Sequence, residues 1–345
     1  MTVSPTALGW ALDFEPLLDA AVGRRPYYSN ETEAELLVQL GPHVTVTMGV
    51  KVCAHVAGKV VVPCTPVSPT VDGRATVLIF SIASLPAKVN STIVISFTAA
   101  DRLGRGGGGP LSGTIVRRFA RVPPPKDDGS DGVSVVVDHR HRALRVNGEL
   151  FLGRGFYWPS TQRMSLDQER QWMFYLSQQG VNQLELGLDQ RSPANATAVL
   201  AMADSFGIKV MFSAVKTVDD AMNCTATGCD SEQTIKQRVE SGKLFELVDA
   251  HKSSPALLSW YICDDCPCGG DAASDSKRHA LSYVYSLLKQ RDPYHITSGA
   301  GGCGNMYSLG EPYALSLDQI MYENYTPTPS SHFGGGTWPT GKGSR

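Results

Sequence analysis

The sequence has no run of about 18 apolar residues, so no segment reads as a helix long enough to span a bilayer. It has no excess of either charge. Lys and Arg number 31 against 33 Asp and Glu, a formal net charge of −2. With a pI near 6.4, nothing electrostatic points to nucleic acid or an anionic membrane as partner. No G-x-G-x-x-G follows the first strand of the α/β region, which argues against a dinucleotide fold. No G-x-S-x-G occurs, so Ser-His-Asp chemistry is not indicated. Gly104–Pro110, GRGGGGP, lacks the Lys-Ser/Thr and the helix of a phosphate loop, and it reads as a flexible loop. Gly341-Lys342-Gly343-Ser344 fails for the same reason. The N-terminal MTVSPTALGWALDFEPLL has neither a basic n-region nor a clean apolar core, so no signal peptide is visible.

What is present is more informative. At 345 residues, 42% apolar and 19% charged, the chain is ordinary globular protein, long enough for two domains. Five of its eight asparagines begin an N-x-S/T sequon: Asn30, Asn90, Asn195, Asn223 and Asn324. N-glycans are expected at the first four; Asn324 is disfavoured by Pro327. The eight cysteines fit an oxidising compartment. These features predict a secreted or lumenal protein (extracellular, vacuolar or lysosomal) whose true start lies outside this chain.

Residues 1–40 are polar and turn-rich without a clear pattern. From His43 to Val52 apolar residues alternate, the period of a half-buried strand. Further strands are expected at 59–63, 75–83 and 92–98, with Cys53 and Cys64 flanking a hairpin and bonded. Short strands at this spacing predict an all-β sandwich, immunoglobulin-like or jelly-roll, over 1–122. Val122–Gly129, VPPPKDDG, reads as a stiff linker, placed at 123–132. A hairpin with an Asn147-Gly148 turn then leads into a strand at Leu152–Trp158.

Strands and helices alternate from there. A capping box of Ser165 and Gln168 starts a helix through Gln179, with Trp172, Tyr175 and Leu176 on one face. A strand at Val181–Leu188 precedes a helix at Pro193–Phe206 closed by Gly207. Lys209–Val215 is a third strand, 231–250 a long helical region, and Pro255–Asp265 a fourth strand. A helix at Ser276–Gln290 and strands at Ile296–Ala300 and Leu317–Tyr325 complete the series. Repeated β-α units predict a parallel sheet, doubly wound or a (β/α)8 barrel. The stretch His251–Cys268, HKSSPALLSWYICDDCPC, stands out. Its apolar run suits a strand buried on both faces and ends in Asp264 and Asp265, where α/β barrels keep their chemistry.

Taken together, LRVNGELFLGRGFYWP, GVNQLELG, GIKVMFSAV, SSPALLSWYICDD, DPYHITSG and LDQIMYENYTP, over roughly 140–327, resemble the retaining glycoside hydrolases of the (β/α)8 clan called clan A. The arrangement is similar to family 2: a β-sandwich, then a barrel over 133–345. The resemblance implies a hydrolase of O-glycosidic bonds in an oligo- or polysaccharide or a glycoconjugate. It implies a carbohydrate partner, no cofactor and no metal, and an acid/base carboxyl at the end of the fourth strand.

Carried over, that residue is Asp265, with Asp264 bonding a sugar hydroxyl. The clan uses Glu, so Asp265 is shorter by about 1.5 Å. The clan's nucleophile ends a seventh strand, and the chain reads as truncated after the sixth, about six βα units of a TIM-type barrel that takes about 250 residues. Glu323 is the substitute nucleophile to consider, and Tyr325 matches the aromatic that bonds the nucleophile. Trp158 is placed to stack a sugar ring or to pack, and Glu185 and Arg154 are candidates for the barrel interior. A bridge from Cys266 or Cys268 to Cys303 would pin the loops beside the site; a metal site of Cys263, Cys266, Cys268 and Cys303 is the weighed alternative. The other functional class consistent with Asp265 and the missing strand is a catalytically inactive carbohydrate-binding or structural relative.

Overall fold

The computed structural model describes residues 18–40, 49–68, 75–99, 111–126, 132–141, 143–158, 164–264, 266, 272–301 and 317–322. The chain divides into two compact units, residues 1–152 with 292–294 and residues 153–291 with 295–345.

Among the described residues the first unit is all β. Its strands are β1 (Leu18–Val22), β2 (Arg24–Arg25), β3 (Tyr27–Tyr28), β4 (Glu33–Leu40), β5 (Val50–Val56), β6 (Lys59–Val67), β7 (Thr76–Ser81), β8 (Lys88–Ala99) and β9 (Leu111–Val122), followed by β10 (Val135–Asp138), β11 (Ala143–Val146) and β12 (Glu149–Phe151). They form three sheets, ordered β1-β4-β7, β3-β9-β8-β5-β6 and β12-β11-β10-β2. Period-two patterning builds the core: Val50, Val52, Ala54 and Val56 of β5 point inward and are buried. One apolar cluster joins them to Leu36, Val38 and Phe80 of the three-stranded sheet and to Ile93, Ile95 and Phe119 of the five-stranded one. Cys53 and Cys64 are bonded across β5 and β6, as expected. Asn147 and Gly148, at φ of 50° and 86°, take the two left-handed positions of the β11–β12 turn.

Two stretches depart from the sequence expectation. Residues 18–40 hold four strands. The longest of them, EAELLVQL in β4, is written in good helix formers, yet it pairs with β1 on one side and β7 on the other. Tertiary pairing overrides propensity there. The segment after the glycine-rich loop is also a strand, β9, paired along most of β8.

Among the described residues the second unit carries one six-stranded parallel sheet, ordered β13 (Gly155–Trp158), β14 (Gln183–Leu186), β15 (Lys209–Ser213), β16 (Leu257–Cys263), β17 (Ile296–Gly301) and β18 (Gln319–Tyr322). Its helices are α1 (Leu166–Gln178), α2 (Pro193–Ser205), α3 (Val215–Met222), α4 (Glu232–Ser241), α5 (Lys243–His251) and α6 (Ala272–Arg291). The helix-facing side of the sheet is apolar. Leu184, Leu186, Val210, Phe212, Trp260 and Ile262 form one cluster with helix residues such as Met173, Val199, Val218, Val248 and Leu281. The capping box of Ser165 and Gln168 starts α1. However, α1 buries Glu169, Met173 and Leu176, while Trp172 and Tyr175 are half exposed, a rotation from the expected face. The long helical region breaks at Gly242, whose backbone is extended (φ −115°, ψ −172°); glycine is needed there, since a Cβ would come to 2.1 Å from the Arg238 carbonyl oxygen.

The end of β16 carries a correction. Cys266 is bonded to Cys263, not to Cys303. Their Cα atoms are 5.6 Å apart, within disulfide reach. Cys268 and Cys303 lie outside the described residues, and Cys224 is bonded to Cys229 as expected. No helix among the described residues is long and apolar enough to cross a membrane.

The sixth strand is anchored by a buried polar network. Asp318, just before β18, accepts from the Tyr285 hydroxyl at 2.8 Å and the Thr297 amide at 2.9 Å, and pairs with the Lys289 ammonium at 3.3 Å. Lys289 also donates to the His295 carbonyl at 2.7 Å. Both charges are 3% exposed at the side chain. Removing one partner of such a pair strands the other, at a cost of roughly 3–5 kcal/mol. Asp318→Ala is therefore expected to unfold at markedly lower denaturant, while Asp318→Leu combined with Lys289→Met regains most of the loss; equal midpoints for wild type and Asp318→Ala in urea would refute this.

Candidate functional site

Side chains alternate across a strand, so the residues between those of the apolar cluster face the other side of the sheet. That inner face is polar in its middle. It carries Glu185 on β14, Ser213 beside Met211 on β15, Ser259 and Tyr261 on β16, Ser298 on β17 and Gln319 on β18. The strand register puts them in rows: Glu185 is level with Met211 and Met211 with Ser259, while Ser213 is level with Tyr261, Tyr261 with Ser298 and Ser298 with Gln319. Barrel interiors are ordinarily filled by Val, Ile and Leu; these positions hold hydroxyls, an amide and a carboxyl.

Some of these groups satisfy each other. The Ser259 and Ser298 hydroxyls share a bond of 2.9 Å. The Tyr261 hydroxyl donates to Asp264 Oδ1 at 2.6 Å, which holds Asp264 at the mouth, one residue past β16 and exposed. Three residues past β14, Asp189 is buried and accepts from the Thr217 amide at 3.0 Å. It thereby caps α3 from outside, since Ala214, the residue before that helix, has no side-chain oxygen to do so. Lys243 Nζ donates to the Asp189 carbonyl. Burial raises the Asp189 carboxyl above its ordinary range, against the Thr217 bonds and the Lys243 charge.

Glu185 is different. It is 3% exposed, and neither carboxyl oxygen meets a well-aligned donor. Burial above all, then the negative charges of Asp264 and Asp189, push its carboxyl up to about 8; the nearby Ser213 hydroxyl offsets this only in part. Gln319 Oε1 on the same face is buried without a partner as well. At neutral pH this is an uncharged carboxylic acid aimed across the sheet's inner face, near the carboxyl ends of the strands.

The expected site residues sort accordingly. Glu185 and Asp264 come together as neighbouring acids. Arg154 does not join them: it is exposed and precedes β13, at the amino end of the sheet, where its amide donates to Asn182 Oδ1 at 2.6 Å. Trp158 ends β13 in register with Leu186, and its side chain lies outside the described residues, as do Asp265, Glu323 and Tyr325. The sequence reading missed Asp189 and the serine–tyrosine lining; the signal was available in the alternation of Ser259 and Tyr261 with Trp260 and Ile262. No group of three or more His, Cys, Asp or Glu among the described residues is arranged to hold a metal.

No family model matches the chain, and no curated protein matches it. Solved structures do. An FMN-binding beta-glucuronidase from Facaelibacterium prausnitzii L2-6 matches 89% of this chain at 14% identity, TM-score 0.41. A glycosyl hydrolase family 2 member from Bacteroides cellulosilyticus matches 88% at 13% identity, TM-score 0.39. A beta-D-mannosidase from Dictyoglomus thermophilum matches 82% at 15% identity, TM-score 0.36. The structural neighbours are thus glycoside hydrolases. The matches take in 42%, 37% and 34% of those proteins, so this chain spans less than half the length of each.

The proton on Glu185 has a measurable consequence. Its folded value lies above the ordinary 4.5, so between about 4.5 and 8 the folded chain holds a proton that the unfolded chain has released. The Glu185 contribution is whole below about 4.5 and is lost as pH rises through about 8. Glu185→Gln stays neutral throughout. The two proteins should match in thermal stability near pH 5, and the variant should become progressively more stable as pH rises toward 9; melting curves that run parallel across this range would refute the assignment.

Proposed function

We propose that this chain is a glycoside hydrolase of the secretory pathway, extracellular, vacuolar or lysosomal. It would cleave O-glycosidic bonds of an oligo- or polysaccharide or a glycoconjugate. The observation that carries this reading is the polar inner face of the parallel sheet, with Glu185, Asp189 and Asp264 gathered toward the carboxyl ends of its strands. Enzymes built on parallel α/β units keep their chemistry at that end. Here a ligand rich in hydroxyls would meet acceptors that the protein leaves open. Exposed Asn30 and Asn195 in sequons support the compartment.

In this reading the sheet closes as part of a (β/α)8 barrel. Asp265 protonates the departing glycosidic oxygen while Glu323, assisted by Tyr325, attacks the anomeric carbon. The glycosyl–enzyme bond is then broken by water that Asp265 deprotonates, giving net retention. Two carboxyls about 5–5.5 Å apart serve this sequence. Asp264, oriented by the Tyr261 hydroxyl, binds a sugar hydroxyl beside the reacting bond. Burial and like charge keep a carboxylic acid protonated near neutrality, and Glu185 reports that this neighbourhood has both.

One observation favours a second reading. An Asp where the clan places Glu sets the acid back by about 1.5 Å, and misplacement on that scale costs on the order of 100-fold. A carbohydrate-binding or structural protein without turnover would tolerate it. A panel of aryl glycosides assayed with wild type and Asp265→Asn separates the two. Hydrolysis of at least one substrate, reduced about 100-fold or more in the variant, is expected of a general acid. Equal turnover in both would sink the assignment of Asp265, and binding without turnover would establish the second reading.

A further inference from the structure

Glu185 lies in the body of β14 and not in a loop, level with Tyr157 on one side and Met211 on the other. A buried carboxyl in such a place ordinarily has donors built around it, because leaving a buried polar group unpaired is destabilising. This chain does so for its other deeply buried acids. Glu169 is held by the Arg191 guanidinium, Asp318 by Lys289, Tyr285 and Thr297, and Asp138 by Arg145 and His141. Glu185 alone of these has both oxygens open, and across the same face Gln319 Oε1 is open too.

The open groups are two carboxyl oxygens, one of them bearing the acid's proton, and an amide oxygen; a ligand with hydroxyls, which both donate and accept, would complete them. Its charge is constrained as well. Among the described inner-face residues of the middle strands no ammonium or guanidinium is available. Lys209 is turned to the Pro255 carbonyl at 2.6 Å, at the amino end of its strand. Arg191 is bound to Glu169. The Asp264 carboxylate, at the mouth, lies close enough to Glu185 for its negative charge to act on it. A carboxylate on the ligand would therefore meet the negative charge of Asp264 with no countercharge among these residues, and like charges brought together disfavour binding.

We infer that Glu185 is a specificity-determining residue that receives a hydroxyl of an uncharged sugar on the inner face of the sheet, and that the site excludes the corresponding sugar acids. This rests on the glycoside-hydrolase reading above and names its substrate class. Gln319 is placed to receive a second hydroxyl. The pH at which the protein works enters through the same residue: the uncharged acid both accepts from one hydroxyl and donates to another, as an amide in its place also can.

Ligand-observed NMR and calorimetry on the full chain test this without requiring turnover. The probes are the methyl glycosides of glucose, galactose and mannose, and beside them glucuronate, galacturonate and mannuronate. Wild type should bind at least one neutral glycoside and its uronate at least tenfold more weakly or not at all. Glu185→Ala should weaken the neutral glycoside about tenfold, the worth of one hydrogen bond, and Glu185→Gln, which keeps both an acceptor and a donor, should recover most of that. Matching far-UV spectra for the variants show that the fold survives. Unchanged affinity in Glu185→Ala, or a uronate that binds as tightly as its neutral parent, overturns the role of Glu185 while the sugar reading stands. No binding of any of the six probes overturns the role of Glu185 and the sugar reading together.

Discussion

Strand β16 is the constraint on which the second unit depends. All seven residues from Leu257 to Cys263 are buried, and the strand pairs with β15 on one side and β17 on the other. A strand so placed must satisfy two surroundings at once. Trp260 and Ile262 meet this demand on the helix side, where Phe212 packs against Trp260 with ring centres 5.1 Å apart. Ser259 and Tyr261 meet it on the inner side by bonding to Ser298 and Asp264. The apolar half holds the sheet to its helices. The polar half keeps the inner face from closing into an ordinary hydrophobic core.

That division explains why the candidate site lies where it does. Ser213, Ser259 and Ser298 bring small hydroxyl side chains, not aliphatic bulk, to the face on which the Glu185 carboxyl lies. Asp189 is committed to capping α3, and this commitment sets the loop after β14. The first turn of α3 and the Glu185 environment are thus coupled through one acid, whose charge also helps raise the Glu185 carboxyl. A change at Thr217 or Asp189 would be felt at Glu185 with no contact between them, because the coupling is electrostatic.

Much of this was legible in the sequence, and the reasons for the rest are physical. Apolar periodicity together with caps marked the elements of the second unit well: the Ser165–Gln168 box, Pro193 opening α2, and the continuous apolar run of β16 each state their role locally. In the first unit the spans expected at 59–63, 75–83 and 92–98 fall on β6, β7 and β8, whereas the span expected at 43–52 reaches β5 only at its end, residues 43–48 lying outside the described ones. Strand β4 was not legible, since Glu, Ala and Leu describe a helix until β1 and β7 flank them. The bridge expected from Cys266 to Cys303 gives way to one with Cys263, because the fold brings the Cα atoms of Cys263 and Cys266 to 5.6 Å, a proximity that spacing alone does not state. Glu185 was visible as an acid in an apolar strand, but its lack of a partner is a property of the whole sheet and leaves no local trace. Arg154 is not an interior residue for a simpler reason: the strand expected from Leu152 begins at Gly155, so Arg154 precedes it and is exposed.

Asp318 and Glu185 show what that lack means. Both are acids buried in the same parallel sheet's unit, a few strands apart. Around Asp318 the chain has assembled a hydroxyl, an amide and an ammonium, and the result is an anchor for β18. Around Glu185 it has placed a serine that aligns poorly, a methionine, and two further acids. If burial alone governed both positions, either the same kind of donor set or an apolar residue would stand at 185, and either would be more stable. A strand residue that keeps a destabilising group facing inward, toward the end of the sheet where α/β proteins bind their ligands, is best accounted for by what it contacts when a ligand is present.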